Sequence, residues 1–166
     1  MAQQTSGTLT VTTPSEREIV LARSFDAPRR LVFEAYSKPE YVKRWWGPRR
    51  FEMPVCEMDF RPGGAYRVVH RGRNGEEFAF RGQYREIVPP ERIVRTFEFE
   101  GRPGHVSVET LVLTEQDGKT TITGTTVFDS VEERDGMLHS GMEEGAAETY
   151  DRLAEHLAAV MSKPGQ

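Results

Sequence analysis

RSFDAPRRLVFEAYSKPEYVKRWWGP, residues 23–48, is the most informative stretch of this 166-residue chain. It closes a strand and then shows two short apolar stripes at helical spacing, which predict two short helices. Asp26 and Ser37 each stand shortly before a proline, so we expect them to cap these helices. Gly47-Pro48 ends the second helix. Such a helix pair between a first strand and the rest of a sheet is unusual, so it narrows the fold class.

The chain from residue 51 to residue 128 consists of predicted strands separated by turns. Asn74-Gly75 gives the strongest hairpin signal, and the other turns carry similar residues: Pro62-Gly63-Gly64, Pro89-Pro90, Gly101–Gly104 and Asp117-Gly118. Closely spaced hairpins without crossover helices indicate an antiparallel meander. Together with the strand from Glu18 to Phe25, they predict a sheet of six or seven strands.

A single amphipathic helix is predicted from about Val131 to Met161, with Ser130 as its N-cap. Gly141 and Gly145 fall in the middle of this helix, where each costs about 1 kcal/mol relative to alanine. Close packing of another backbone is the favoured explanation, and open space beneath the helix is the other. The predicted class is α+β, a curved antiparallel sheet wrapped around a long C-terminal helix with a cavity between them.

Composition and charge argue against several classes of function. The net charge of −4 gives no reason to expect a nucleic-acid partner, and no apolar run is long enough for membrane insertion. Cys56 is the only cysteine, which fits a reducing, cytoplasmic location. The sequence has no metal-ligand spacing and no cofactor-binding motif, so we expect neither a metal nor a cofactor. We interpret residues 1–15 as a flexible arm, residues 16–161 as one domain and residues 162–166 as a tail.

Four segments resemble one known family: FDAPRRLVFEAYSKPEYVKRWWGP (Phe25–Pro48), MDFRPGGAYR (Met58–Arg67), FRGQYREIVPPERIVRTFEFEG (Phe80–Gly101) and GMEEGAAETYDRLAEHL (Gly141–Leu157). They are similar to the single-domain bacterial members of the family named after the activator of the heat-shock protein ninety ATPase. That family lies within the helix-grip superfamily of START, birch-pollen-allergen and polyketide-cyclase-like proteins. The resemblance implies a sheet that grips the C-terminal helix around an apolar cavity for a hydrophobic small molecule. It does not imply chaperone activation, because the eukaryotic activators carry an additional N-terminal domain and residues 1–15 are too short to form one.

The residues that line such a cavity can be predicted from strand parity, since alternate side chains face the same side of a sheet. Aromatic side chains with a few polar tips are the usual composition of a small-molecule site. The candidate ligand-binding residues are Trp45, Trp46, Tyr66, His70, Phe78, Phe80, Tyr84, Arg95, Phe97, Thr126, His139 and Met142. The alternative is that the same aromatic side chains fill a solid core, and both interpretations stay open.

Arg95 alternates with Ile93, Phe97 and Phe99, so one strand face mixes large apolar groups with a charge. If this face points inward, Arg95 needs a carboxylate partner and offers an anchor for an anionic head group. If it points outward, Arg95 stacks on exposed aromatic rings. We favour the outward orientation.

Binding of a hydrophobic or amphipathic small molecule is the function that the sequence favours, since no catalytic motif occurs. The first alternative is a cyclase- or hydrolase-like enzyme on an aromatic or polyketide-type substrate, with His70, His139 or Tyr84 as acid–base groups. The second is a protein-interaction, co-chaperone-like domain that uses an exposed surface of Trp45 and Trp46. A homodimer is compatible with the sequence, although nothing in it specifies an interface.

Overall fold

Eight strands and four helices make up residues 8–162, the part of the chain that the computed structural model describes. The helices are α1 (Arg29–Ala35), α2 (Pro39–Trp45), α3 (Val131–Leu138) and α4 (Met142–Met161). The strands are β1 (Thr10–Thr12), β2 (Glu18–Phe25), β3 (Glu52–Met58), β4 (Ala65–Arg71), β5 (Glu77–Val88), β6 (Arg92–Phe99), β7 (Val106–Gln116) and β8 (Lys119–Val127). The predicted α+β class is confirmed.

All eight strands lie in one antiparallel sheet, in the order β1-β2-β8-β7-β6-β5-β4-β3. From β3 to β8 each strand pairs with its neighbour in sequence, which is the predicted meander. β2 pairs instead with β8, so that Leu21 lies opposite Gly124. Because β2 and β3 stand near opposite edges of the sheet, the chain between them must cross it. α1 and α2 make this crossing, which explains the helix pair that the sequence shows.

The sheet has eight strands, not the predicted six or seven. The additional strand, β1, pairs with β2 through Thr10 opposite Ala22 and Thr12 opposite Val20. Its three residues, TVT, are too few to show a strand pattern, and the pairing depends on an edge that another strand provides. Residues 1–7 of the predicted arm and residues 163–166 of the predicted tail lie outside the described residues.

The helix predicted from Val131 to Met161 is two helices. Gly141 has a φ of +83°, a left-handed conformation that glycine adopts at little cost and that interrupts α-helical hydrogen bonding. It is the residue that precedes α4, so it does not lie inside a helix. The predicted cap of the first part is confirmed, since the N–H of Glu133 donates to Ser130 Oγ at 3.1 Å.

The predicted caps of α1 and α2 are wrong, because both side chains are engaged elsewhere. The residues that precede these helices are Pro28 and Lys38, and neither makes a side-chain cap. Ser37 Oγ donates to the carbonyl of Glu34 at 2.7 Å. Asp26 forms an ion pair with Lys119 at 3.4 Å.

The hydrophobic core lies where α1, α2 and α4 meet the sheet. Val32 of α1, Ile93 of β6 and Leu153 of α4 are fully buried. In contrast, no residue of α3 is buried, so this helix contributes little to the core. None of the helices within residues 8–162 is long and apolar enough to cross a membrane.

Candidate ligand-binding site

The loop between α2 and β3 is fixed to α4 by hydrogen bonds. The N–H of Gly47 donates to Thr149 Oγ1 at 3.1 Å. The guanidinium of Arg152 donates to the carbonyls of Gly47 and Arg44, at 2.7 and 2.9 Å. These bonds hold the loop against α4, and the Trp46 ring points to the sheet, with its centroid 6.2 Å from that of Tyr66 and 6.1 Å from that of His70.

The two adjacent tryptophans have different environments. Trp45 is buried, and its indole N–H donates to the carbonyl of Ala35 at 3.1 Å. Its ring packs edge-on against Tyr36, with centroids 4.7 Å apart. Trp46 is half-buried and lines a cavity. The exposed tryptophan surface that the protein-interaction alternative requires is therefore not formed by these two residues.

A cavity of about 970 Å³ lies between the sheet and α4. Eight of the predicted ligand-binding residues line it: Trp45, Trp46, His70, Phe78, Phe80, Arg95, Phe97 and Met142. The aromatic side chains of β5 and β6 thus border open space, and the alternative of a solid core does not hold for this region. Gly145 of α4 also lines the cavity, and Pro48 lies 3.7 Å from where its Cβ would be.

Four predicted residues do not line the cavity. Tyr66 and Tyr84 face the interior but are buried in the core, where the hydroxyl of Tyr66 donates to the carbonyl of Thr96 at 2.6 Å. Thr126 of β8 is half-buried and lies outside the cavity lining. His139 is exposed at the end of α3, because the helix break removes it from the apolar face of the predicted continuous helix.

Arg95 faces the interior, so the outward orientation favoured from the sequence is wrong. Its Nε donates to Glu109 Oε1 at 2.8 Å, and its guanidinium carbon lies 5.1 Å from the centre of the Trp46 ring. Burial disfavours the charged form of Arg95, but the carboxylate of Glu109, together with Tyr66 and Tyr84, more than offsets this and raises the pKa above its ordinary value. The inner wall of the cavity therefore holds a neutralised ion pair.

His70 of β4 lies against the backbone of Gly47. A Cβ placed on Gly47 would be only 2.8 Å from His70 Cε1. Burial, assisted by the positive charge of Arg152, lowers the pKa of His70 to about 4, so the imidazole is neutral at pH 7. Its Nε2 is buried and has no hydrogen-bond partner among residues 8–162.

Four phenylalanines from two adjacent strands form one side of the cavity, which we call the phenylalanine wall: Phe78, Phe80, Phe97 and Phe99. The rings of Phe80 and Phe97 are stacked, with centroids 5.2 Å apart. The centroid of Phe99 lies 5.3 Å from that of Phe80. This wall offers an apolar aromatic surface on which an aromatic ligand can pack.

Charged side chains surround the cavity where its lining reaches the surface. We call them the charged rim: Arg102, His105, Glu132 and Glu133. Arg102 is 59% exposed and pairs with Glu133, which links the β6–β7 turn to α3. His105 Nδ1 lies 3.1 Å from a carboxylate oxygen of Asp129, just before α3. The cavity opens to solvent at this rim.

Three residues at the inner end of the cavity were not identified from the sequence: Tyr36, Glu109 and Tyr150. Glu109 alternates with Leu111 and Leu113 in β7, the same mixture of charge and apolar groups that marks Arg95 in β6. The same pattern on two neighbouring strands would have predicted an ion pair between Arg95 and Glu109. Tyr150 precedes Leu153 by three residues and therefore shares its helix face.

Comparison with known proteins supports the family resemblance. A sequence model of the family described as Activator of Hsp90 ATPase homolog 1-like protein matches residues 26–158. This range includes both short helices, all strands from β3 to β8, and most of α4. A search of the curated proteins finds no significant match to the chain.

Solved structures share the fold over most of the chain. A protein from Rhodobacter sphaeroides, known from its crystal structure, is 24% identical in sequence. The match covers 91% of this chain and 99% of that chain, with a TM-score of 0.85. Protein CV1439 from Chromobacterium violaceum is 26% identical over 85% of this chain and 97% of that chain, with a TM-score of 0.73. Protein Ms6760 from Mycobacterium smegmatis is 23% identical over 96% of this chain and 99% of that chain, with a TM-score of 0.81.

Proposed function

Because the chain belongs to the family of Activator of Hsp90 ATPase homolog 1-like proteins, whose fold encloses a space between sheet and helix, we propose that it binds a hydrophobic or amphipathic small molecule there. One observation carries the proposal: a cavity of about 970 Å³ is lined largely by apolar residues, ten of them aromatic. Cavities of this size and composition are typical of small-molecule sites. Removal of apolar ligand surface from water supplies about 25 cal/mol per Å² toward binding.

The distribution of polar groups supports an amphipathic ligand. The ion pair of Arg95 and Glu109 lies at the inner end of the cavity, and the charged rim lies at its opening. The phenylalanine wall also lines this space. A ligand with an apolar body and a polar group satisfies both kinds of surface, because buried polar groups need partners and apolar ones do not.

We propose binding rather than catalysis. Of the three acid–base candidates from the sequence, only His70 lines the cavity. His139 is exposed on α3, and Tyr84 is buried in the core. No two of these residues can therefore act together, as acid and base, on a substrate bound in the cavity.

Titration with the fluorescent probe N-phenyl-1-naphthylamine tests the proposal. We expect saturable binding of one molecule per chain, with a rise in probe fluorescence. Ala146→Phe should weaken binding at least tenfold, because Ala146 lines the cavity from α4 and a phenyl group would occupy the space. Ala159→Phe is the matched control, since Ala159 is exposed on the same helix.

The proposal is wrong if the probe does not saturate or if both substitutions weaken binding equally. Native mass spectrometry of freshly purified protein gives an independent measurement. We expect a bound small molecule that is released chemically unchanged after incubation. Conversion of that molecule to a product would instead support the enzyme alternative.

A further inference from the structure

His70 places a polar atom inside an aromatic environment. Its ring centroid lies 5.4 Å from that of Phe80 and 6.1 Å from those of Trp46 and Phe51. Nε2 has no hydrogen-bond partner within residues 8–162, and the residue is only 8% exposed. A buried polar atom without a partner is unfavourable, so a ligand group that binds it gains affinity.

The charges near this atom do not call for an ionic ligand. Arg95 is already paired with Glu109 on the inner wall. Arg152 donates to the carbonyls of Gly47 and Arg44, which places its hydrogen bonds on the backbone. The imidazole itself is neutral at pH 7. An uncharged hydrogen-bonding group therefore fits His70 better than a carboxylate or an ammonium group, which would be costly to bury.

We infer that the ligand is an uncharged aromatic molecule with a hydroxyl group, and that His70 binds this hydroxyl. The inference rests on the binding function proposed above and names its ligand class. A hydroxyl both donates and accepts, so it matches an imidazole nitrogen of His70 whether or not that nitrogen carries the proton. The aromatic part packs on the phenylalanine wall, which Phe80 connects to His70.

Naphthalene and 2-naphthol provide a matched pair of probes, since they differ by one hydroxyl. Their affinities follow from displacement of N-phenyl-1-naphthylamine. We expect 2-naphthol to bind about tenfold more tightly than naphthalene, the effect of one hydrogen bond to a buried group. 2-Naphthoate, which carries a negative charge, should bind more weakly than 2-naphthol.

Substitutions at His70 test the assignment of the hydroxyl partner. His70→Phe should remove the preference for 2-naphthol, and His70→Gln, which keeps a hydrogen-bonding group, should retain part of it. Phe97→Leu is the control, because Phe97 lines the cavity without a polar group. It should weaken both ligands and leave their affinity ratio unchanged.

A measurement on the unmodified protein does not depend on how the variants fold. The side-chain ¹⁵N resonances of His70 should shift on addition of 2-naphthol and remain nearly unchanged with naphthalene. Equal affinities for the two ligands, tighter binding of 2-naphthoate, or an unresponsive His70 would overturn this inference while the binding function stands. If none of the ligands binds, the proposed function itself is wrong.

Discussion

Arg95 and Glu109 face each other across β6 and β7, and Nε of Arg95 lies 2.8 Å from Oε1 of Glu109. They are direct partners in the strand register, so each is held by the sheet against the other. The arginine side chain is 10% exposed and that of the glutamate 22%. This pair is the principal charged feature of an otherwise aromatic inner wall.

Removal of one partner should destabilise the protein strongly. We expect Arg95→Met to lower the free energy of unfolding by about 3 kcal/mol, because it leaves the Glu109 carboxylate buried without its counter-charge. The double substitution Arg95→Met with Glu109→Leu should recover much of this loss. Urea unfolding of the unmodified protein, the single variant and the double variant measures these free energies.

Arg81 supplies the matched control for this prediction. It pairs with Glu98 across β5 and β6 in the same register relationship, but its side chain is 52% exposed. Arg81→Met should therefore cost much less than Arg95→Met. Equal losses would show that burial of the Arg95 pair is unimportant for stability.

Gly47 should not tolerate a side chain. Its φ of +96° already disfavours other residues, and a Cβ would lie 2.8 Å from His70 Cε1. Gly104 has nearly the same φ, +94°, with nothing within 4 Å of the Cβ position. We expect Gly104→Ala to lower the free energy of unfolding by about 1–2 kcal/mol and Gly47→Ala to lower it further. Thermal unfolding measures both variants. If Gly47→Ala and Gly104→Ala lower the free energy of unfolding equally, His70 makes no steric contribution.

His70 should make stability depend on pH. The imidazole has a pKa near 6.5 in the unfolded chain and about 4 in the folded protein, because burial disfavours its charged form. Between these pH values the unfolded state binds more protons, so the free energy of unfolding falls as the pH falls from about 6.5 to about 4. His70→Gln should flatten this part of the profile. His139→Gln, which removes an exposed imidazole, should leave it unchanged.

The charged rim should control the rate of ligand exchange. α3 has no buried residue, so the ion pair of Arg102 and Glu133 is one of its few links to the β6–β7 turn. Arg102→Ala should speed both association and dissociation of N-phenyl-1-naphthylamine by a few-fold, with little change in affinity. Stopped-flow fluorescence measures both rates. Arg92→Ala, which breaks an exposed pair with Glu86 away from the rim, should change neither; the same acceleration there would argue against gating by α3.

Local patterns predicted most of the fold because turns and amphipathic faces depend on neighbouring residues. Asn74-Gly75 lies at the turn between β4 and β5 as expected, and Ser130 caps α3. Gly141 shows the limit of this reasoning. An amphipathic pattern that continues on both sides of a glycine does not reveal whether its φ is helical or left-handed.

The candidate site was predicted in part. Parity correctly placed Phe78 and Phe80 at the cavity, because side-chain alternation is a property of each strand alone. It failed for Arg95, since both faces of β6 are partly apolar and the deciding partner, Glu109, belongs to another strand. Parity also does not show how deeply a side chain is buried. It therefore grouped Tyr84, which lies in the core, with the residues that line the cavity.

The amino-acid sequence by itself determined the class of the molecule: a meander of strands, two short helices after the first long strand, and an amphipathic C-terminal region. These features follow from hydrogen-bonding and apolar periodicity over a few residues. Only the tertiary structure decided that the aromatic side chains border a cavity, that Arg95 turns inward, and that His70 lies beneath Gly47 without a partner for Nε2. Each of these depends on contacts between residues far apart in the chain, where packing and charge neutralisation outweigh local preference.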